Sequence, residues 1–226
     1  MTELPGDPFV VHRDKIETVH IHMGQSAELR KVDLELPGEQ PLWVERSTLP
    51  EGPTRPTLIL IHGFAQNRFS WDTKIRSMSG WLAAQGWDVW NLELRGHGRS
   101  RRRGGAVATT FSDYPDDLLR LADAMPEPAF WVGHSLGASV AYAAVAKRPD
   151  AAPTRGVVGI AGLYRFGQAG WILPLVSRVT RRIPVNLNLG DIQVHTGLSG
   201  RIMARLFPFV DMAAYGMPIA GWWPGS

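Results

Sequence analysis

Apolar and polar residues alternate over residues 18–22 and 29–36, as strands buried on one face require. Pro37-Gly38-Glu39-Gln40 reads as a turn, and Pro41 to Ser47 as the strand returning from it. A Pro/Gly-rich linker, Pro50 to Pro56, leads into Thr57-Leu58-Ile59-Leu60-Ile61. That unbroken apolar run suits a strand covered on both faces, as in a parallel sheet. From there strand and helix patterns alternate. A helix is expected over residues 70–85, ending before Gly86, then a strand from Trp87 to Leu94 and a Gly/Arg-rich loop from Arg95 to Thr110. The next helix takes Ser112 or Asp113 as its cap and carries the apolar stripe Leu118, Leu121, Ala122 and Met125. Three more elements follow: a strand over residues 129–133, a helix with Leu136, Val140, Ala143 and Ala144 inward, and a buried strand from Gly156 to Ala161.

A hairpin followed by strand–helix alternation predicts an α/β fold, a doubly wound and mostly parallel sheet. Residues 1–162 form the expected core. After Gly162 the regular pattern lapses, and five prolines punctuate residues 163–226. Short helices fit around residues 170–182 and 199–207, so this segment is expected to be a partly helical cap. Its Trp171, Trp222 and Trp223 are candidates for lining an apolar substrate pocket.

Composition narrows the chemistry. At 226 residues, 44% hydrophobic and 20% charged, the chain suits one α/β core rather than two domains. A formal charge of +3 gives no ground for a nucleic-acid partner, and the arginine clusters at 99–103 and 178–182 read as solvated loop faces. With no cysteine, disulfides, thiolate chemistry and cysteine-bound zinc are excluded. His20 and His22 have the spacing of a metal pair but no third ligand nearby, so no metal is expected. Met1 to Val10 lacks the apolar stretch of a secretory signal, and no apolar run reaches the length of a membrane span. The expected location is cytoplasmic.

The chemistry concentrates at Gly133-His134-Ser135-Leu136-Gly137, between an apolar strand pattern and a helical one. A strand that reverses this sharply into a helix forces its central residue into a strained backbone, and side chains two positions away on either side would clash. Ser135 is the expected nucleophile. The Leu136 N–H, at a helix N-terminus, suits an oxyanion. A second donor is expected from the loop after an adjacent strand, and His62-Gly63-Phe64 follows residues 57–61, which assigns the Phe64 N–H.

These pieces resemble the α/β-hydrolase family. The resemblance rests on His62-Gly63-Phe64, Trp71-Asp72, Arg95-Gly96-His97-Gly98-Arg99-Ser100 and the Gly133–Gly137 elbow, in that order. It covers about residues 57–162 and is most like the ester-hydrolase and acyltransferase branches. Serine at 135 argues against the haloalkane dehalogenase and epoxide hydrolase branches, which carry aspartate there. The resemblance implies a small-molecule ester or thioester substrate, no cofactor, and a triad in the order Ser, acid, His. Here the chain departs from the pattern. Downstream of Ser135, Asp191 and His195 are the candidate acid and base, yet neither follows a buried strand pattern, and Asp150 sits on the wrong side of the sheet. About six of the fold's eight strands are counted, so the remaining strands, with acid and base, are expected beyond residue 226. The leading expectation is a serine hydrolase of esters or thioesters with an apolar acyl group. An acyltransferase and a non-catalytic binding module of the same fold are the alternatives.

Overall fold

The computed structural model describes residues 8–162, apart from residues 23, 65, 74–75 and 107. Seven strands among them form one sheet: β1 (Val10–His22), β2 (Gln25–Leu36), β3 (Leu42–Thr48), β4 (Thr57–Ile61), β5 (Asp88–Glu93), β6 (Ala129–His134) and β7 (Thr154–Ile160). That is one more than the six counted from sequence. Their spatial order is β1-β2-β3-β5-β4-β6-β7. The pairs β1/β2, β2/β3 and β3/β5 are antiparallel, and β5/β4, β4/β6 and β6/β7 parallel, so five strands run the same way. The chain leaves β4 for β5 on one side and later takes up β6 on the other. This reversal of strand order is the switch point at which α/β sheets bind ligands.

Both faces of the central strands are covered. Ile59 and Ile61 of β4 share a core with Trp90, Trp131 and two helices, α3 (Asp113–Asp123) and α4 (Leu136–Lys147). Leu58 and Leu60 join Leu29, Trp71, Val89 and Val132 under α1 (Met78–Ala84) on the opposite face. The unbroken apolar run of β4 thus serves two cores.

Several boundaries differ from expectation. The first hairpin is longer because its outer residues are held by cross-strand charges rather than by a buried face: Arg30 bonds Asp14 through Nε at 2.9 Å, and His12 Nε2 meets Glu35 at 2.7 Å. The helix expected over residues 70–85 begins only at Met78. Ahead of it lie a single 3-10 turn, Arg68–Ser70, and a turn in which Thr73 Oγ1 bonds Arg76 O, followed by Ser77 as the cap accepting the Gly80 N–H at 2.8 Å. Such side-chain-to-backbone bonds compete with helix formation. The Gly/Arg-rich loop contains a short helix, α2 (Gly98–Arg102). In α4 it is Ala141, not Ala143, that joins Val140 and Ala144 in the core. The strand expected to be buried, β7, has strand neighbours on one side only among the described residues, and its Val158 and Ile160 are exposed. Among the described residues no helix is long and apolar enough to cross a membrane.

Candidate active site

Ser135 stands between the end of β6 and the first residue of α4 with φ 51° and ψ −113°. A left-handed φ on a residue with a Cβ costs on the order of 1–3 kcal/mol, so the surroundings must impose it. They do so through hydrogen bonds and close packing. The Ser135 N–H donates to Ile160 O of β7 at 2.8 Å, and its carbonyl accepts the Ala138 N–H at 3.1 Å. A Cβ on Gly133 would collide with the backbone of Gly137 and Ala138, and one on Gly137 with the carbonyl oxygens of Ile61 and His62. Both glycines are therefore required by close approach, and α4 is seated directly on the end of β4. The Leu136 N–H, in the first turn of α4, has no acceptor within the helix.

The neighbouring strand supplies the other half of the corner. Ile61 of β4 is in register with Gly133 of β6, so His62-Gly63-Phe64 leaves the sheet beside the elbow. Strands lie about 4.8 Å apart, which brings the two segments into contact. His62 is completely buried; its Nε2 accepts the Leu94 N–H at 3.1 Å, leaving Nδ1–H to donate to Gly63 O at 2.8 Å. Burial first, with the nearby His97 and His134 imidazoles adding to it, pushes its pKa down to about 3, so the ring is neutral. The Gln66 N–H also donates to Gly63 O, at 3.3 Å. In a trans peptide the C=O and the following N–H point opposite ways. Holding Gly63 O inward therefore turns the Phe64 N–H outward, and Phe64 as a residue is 49% exposed.

Two further parts of the corner escaped the sequence reading. Gln66 Oε1 accepts from Gly63 N–H at 3.0 Å and Ser70 Oγ at 3.1 Å, and lies 3.3 Å from His134 Nδ1. His134 reaches sideways to this loop and meets Trp71 edge-on at 6.4 Å. The second part is charged. Arg68, just past the loop, pairs with Glu93 at 3.0 Å and Glu45 at 3.4 Å, and its carbonyl takes the Asn91 side-chain amide. Glu93 turns its other oxygen to the Arg99 N–H at the start of α2. His97 donates Nδ1–H to Arg95 O at 2.9 Å, and burial lowers its pKa. Gln66 and Glu93 are isolated polar positions with no pattern around them that sequence reasoning could use.

The structure thus brings Ser135, Leu136 and Phe64 to adjacent strand ends at the switch point. Asp191, His195, Trp171, Trp222 and Trp223 lie outside the described residues. Asp150 is exposed beyond the far end of α4, as expected from its place in the chain. His20 bonds Ser26 Oγ at 3.1 Å, and among the described residues no three His, Asp or Glu side chains converge as a metal site would require.

A sheet of this order, with a strained serine between β6 and α4, defines the α/β-hydrolase fold. Residues 52–206 match the family described as serine aminopeptidase, S33, and the chain belongs to that hydrolase family. It is similar to epoxide hydrolase B of Mycobacterium tuberculosis, 34% identical over 106 residues, covering 46% of this chain and 28% of that protein. It is also similar to the pimeloyl-[acyl-carrier protein] methyl ester esterase of Aliivibrio fischeri, 29% identical over 136 residues, covering 58% and 48%. Among solved structures, a candidate epoxide hydrolase from Pseudomonas aeruginosa superposes with a TM-score of 0.54 at 19% identity, over 76% of this chain and 57% of that one. The chain's matches span half or less of the length of these two curated relatives.

Proposed function

We propose that the protein is a serine hydrolase acting on a carboxylic ester or thioester with an apolar acyl group. The observation that carries this reading is the backbone of Ser135, held at φ 51° between two glycines that the packing requires. Ser135 Oγ attacks the carbonyl carbon, and the carbonyl oxygen becomes an oxyanion facing the Leu136 and Phe64 N–H groups. The proton leaves Oγ for a general base and passes to the departing alcohol or thiol; water then clears the acyl-enzyme. His62 does not serve as that base, since both ring nitrogens are taken, Nδ1–H by Gly63 O and Nε2 by the Leu94 N–H, and burial lowers its basicity, as it does that of His97. The candidates from sequence are His195, with Asp191 to orient it. Phe64, exposed and carrying the oxyanion donor, supports an apolar acyl group.

Similarity extends to proteins named as epoxide hydrolases, but a serine is ill suited to that reaction. Opening an epoxide with a serine hydroxyl would leave an alkyl ether, which water does not hydrolyse. An acyl ester on the same oxygen is cleared through its carbonyl. The hydroxyl at 135 therefore favours the esterase reading.

Phosphonylation by a fluorophosphonate tests it, because only an activated serine displaces fluoride. The whole protein is expected to label, and Ser135→Ala to lose all labelling while keeping its thermal midpoint. A wild-type protein inert to the reagent overturns the reading. Equal hydrolysis of charged and long-chain apolar esters would overturn the acyl preference alone.

A further inference from the structure

Gly63 has no free polar group. Its carbonyl is taken by His62 Nδ1–H and the Gln66 N–H, and its own N–H by Gln66 Oε1. A backbone N–H only donates, so the Gln66 atom facing it is the carbonyl oxygen, which settles the orientation of the amide. That oxygen accepts Ser70 Oγ–H and faces His134 Nδ1 as well. Ser70 belongs to the 3-10 turn that closes the loop, and His134 is the residue before Ser135. One oxygen atom thus touches the start of the loop, its end and the elbow. The fit leaves no slack: a Cβ on Gly63 would lie 2.6 Å from Gln66 Oε1 and 3.0 Å from His134 Nδ1.

We propose that Gln66 is a positioning residue that sets the Phe64 N–H relative to Ser135, by tying the Gly63 N–H to His134 through its side-chain oxygen. The inference rests on the proposed hydrolase reading. The geometry explains why one acceptor controls a donor two residues away. Fixing the N–H of Gly63 and its C=O together fixes both peptide planes flanking that residue, and glycine without such bonds would rotate freely. The Phe64 N–H lies on the second of those planes. Anchoring the assembly to His134 then references it to the elbow rather than to the loop alone. Hydrogen-bond donors stabilise an oxyanion only when aimed at its position, and a displacement of about 1 Å costs on the order of a hundredfold in rate.

Two variants of the whole protein separate this role from simple packing. Gln66→Leu keeps most of the volume and removes the oxygen; Gln66→Glu keeps an oxygen at the same reach. Phosphonylation by a fluorophosphonate is expected to slow about 30- to 100-fold in Gln66→Leu, and Gln66→Glu to recover at least about tenfold of that loss. Amide exchange at Gly63, followed by NMR, is expected to be slow in wild type and Gln66→Glu and fast in Gln66→Leu. Labelling of Gln66→Leu at the wild-type rate overturns the inference, as does a Gln66→Glu no faster than Gln66→Leu. If wild type itself does not label, the hydrolase reading falls, and exchange at Gly63 alone decides the inference: equal protection in all three proteins overturns it.

Discussion

Two corners of one sheet are built by opposite means. Where β4 and β6 end, backbone groups and glycines do the positioning. Charged side chains are absent from the bonds that hold Ser135 and Gly63, and the bonded imidazole His62 is buried and neutral. A few residues away, on the face that α1 covers, β2, β3 and β5 change from apolar to charged along their length. Leu29 and Val89 give way to Lys31, Asp33, Glu45 and Glu93. Four cations, Arg13, Lys31, Arg68 and Arg99, there meet four anions, Asp33, Glu45, Asp72 and Glu93. Burial opposes the charge on Lys31 and on Glu45, yet their mutual attraction, with Asp72 on one side and Arg68 on the other, outweighs it. Lys31 is held well above its usual pKa and Glu45 well below. The first corner depends on shape and tolerates no added atom. The second depends on charge balance and tolerates no lost partner. Arg68 joins them, since it belongs to the charged layer and follows the loop that carries Phe64.

Disturbing each corner alone separates shape from charge. Gly137→Ala adds a methyl group against the Ile61 and His62 carbonyls, which are backbone and cannot rotate away. α4 must shift from β4, and labelling of Ser135 should fall by about a hundredfold, with about 1–3 kcal/mol lost from stability. Glu45→Gln should do the reverse. It leaves Lys31 and Arg68 buried with less compensation and should cost about 3–5 kcal/mol in urea unfolding. Labelling of the folded fraction should stay at the wild-type rate, because Arg68 keeps its bond to Glu93. A Glu45→Gln protein that is stable but unlabelled would mean the charged layer, not the backbone, sets the donor.

What the sequence displayed follows the same division. The elbow was legible because steric demands leave a mark: two glycines around a serine between a strand and a helix pattern. β4 was legible because two covered faces produce an unbroken apolar run. The charged layer was not, since Lys31 and Asp33 read as the solvent-facing half of an alternating strand, and Glu45 and Glu93 are single charges in otherwise ordinary strand patterns. The helix boundary at 70–85 failed for a different reason: the Thr73 hydroxyl bonds the Arg76 carbonyl and the Ser77 hydroxyl caps the Gly80 N–H, so the helix begins only at Met78. Gln66 acts through one atom at a position where nothing in the surrounding pattern constrains the residue type.

Acid separates the two corners by pH, with the smallest effect of the three. His62 is held neutral with a pKa near 3, far below the usual histidine value, chiefly by burial. As pH falls below about 6.5 the unfolded chain takes up a proton at His62 that the folded chain refuses, so stability declines. The slope from this one group is about 1.4 kcal/mol per pH unit, and the depressed His97 acts in the same direction. Glu45 is also depressed, but its contribution is complete above the usual carboxylate range and is lost progressively as pH falls from there through its lowered value. Urea unfolding between about pH 6.5 and 5 therefore reports the backbone corner before the charged layer begins to titrate. His62→Gln should flatten that segment by about the slope of one proton while leaving the loss below about pH 4.5 in place. A wild-type stability that is level from pH 6.5 to 5 would mean that the ring is not held neutral. Nε2 would then carry a proton and could not accept the Leu94 N–H.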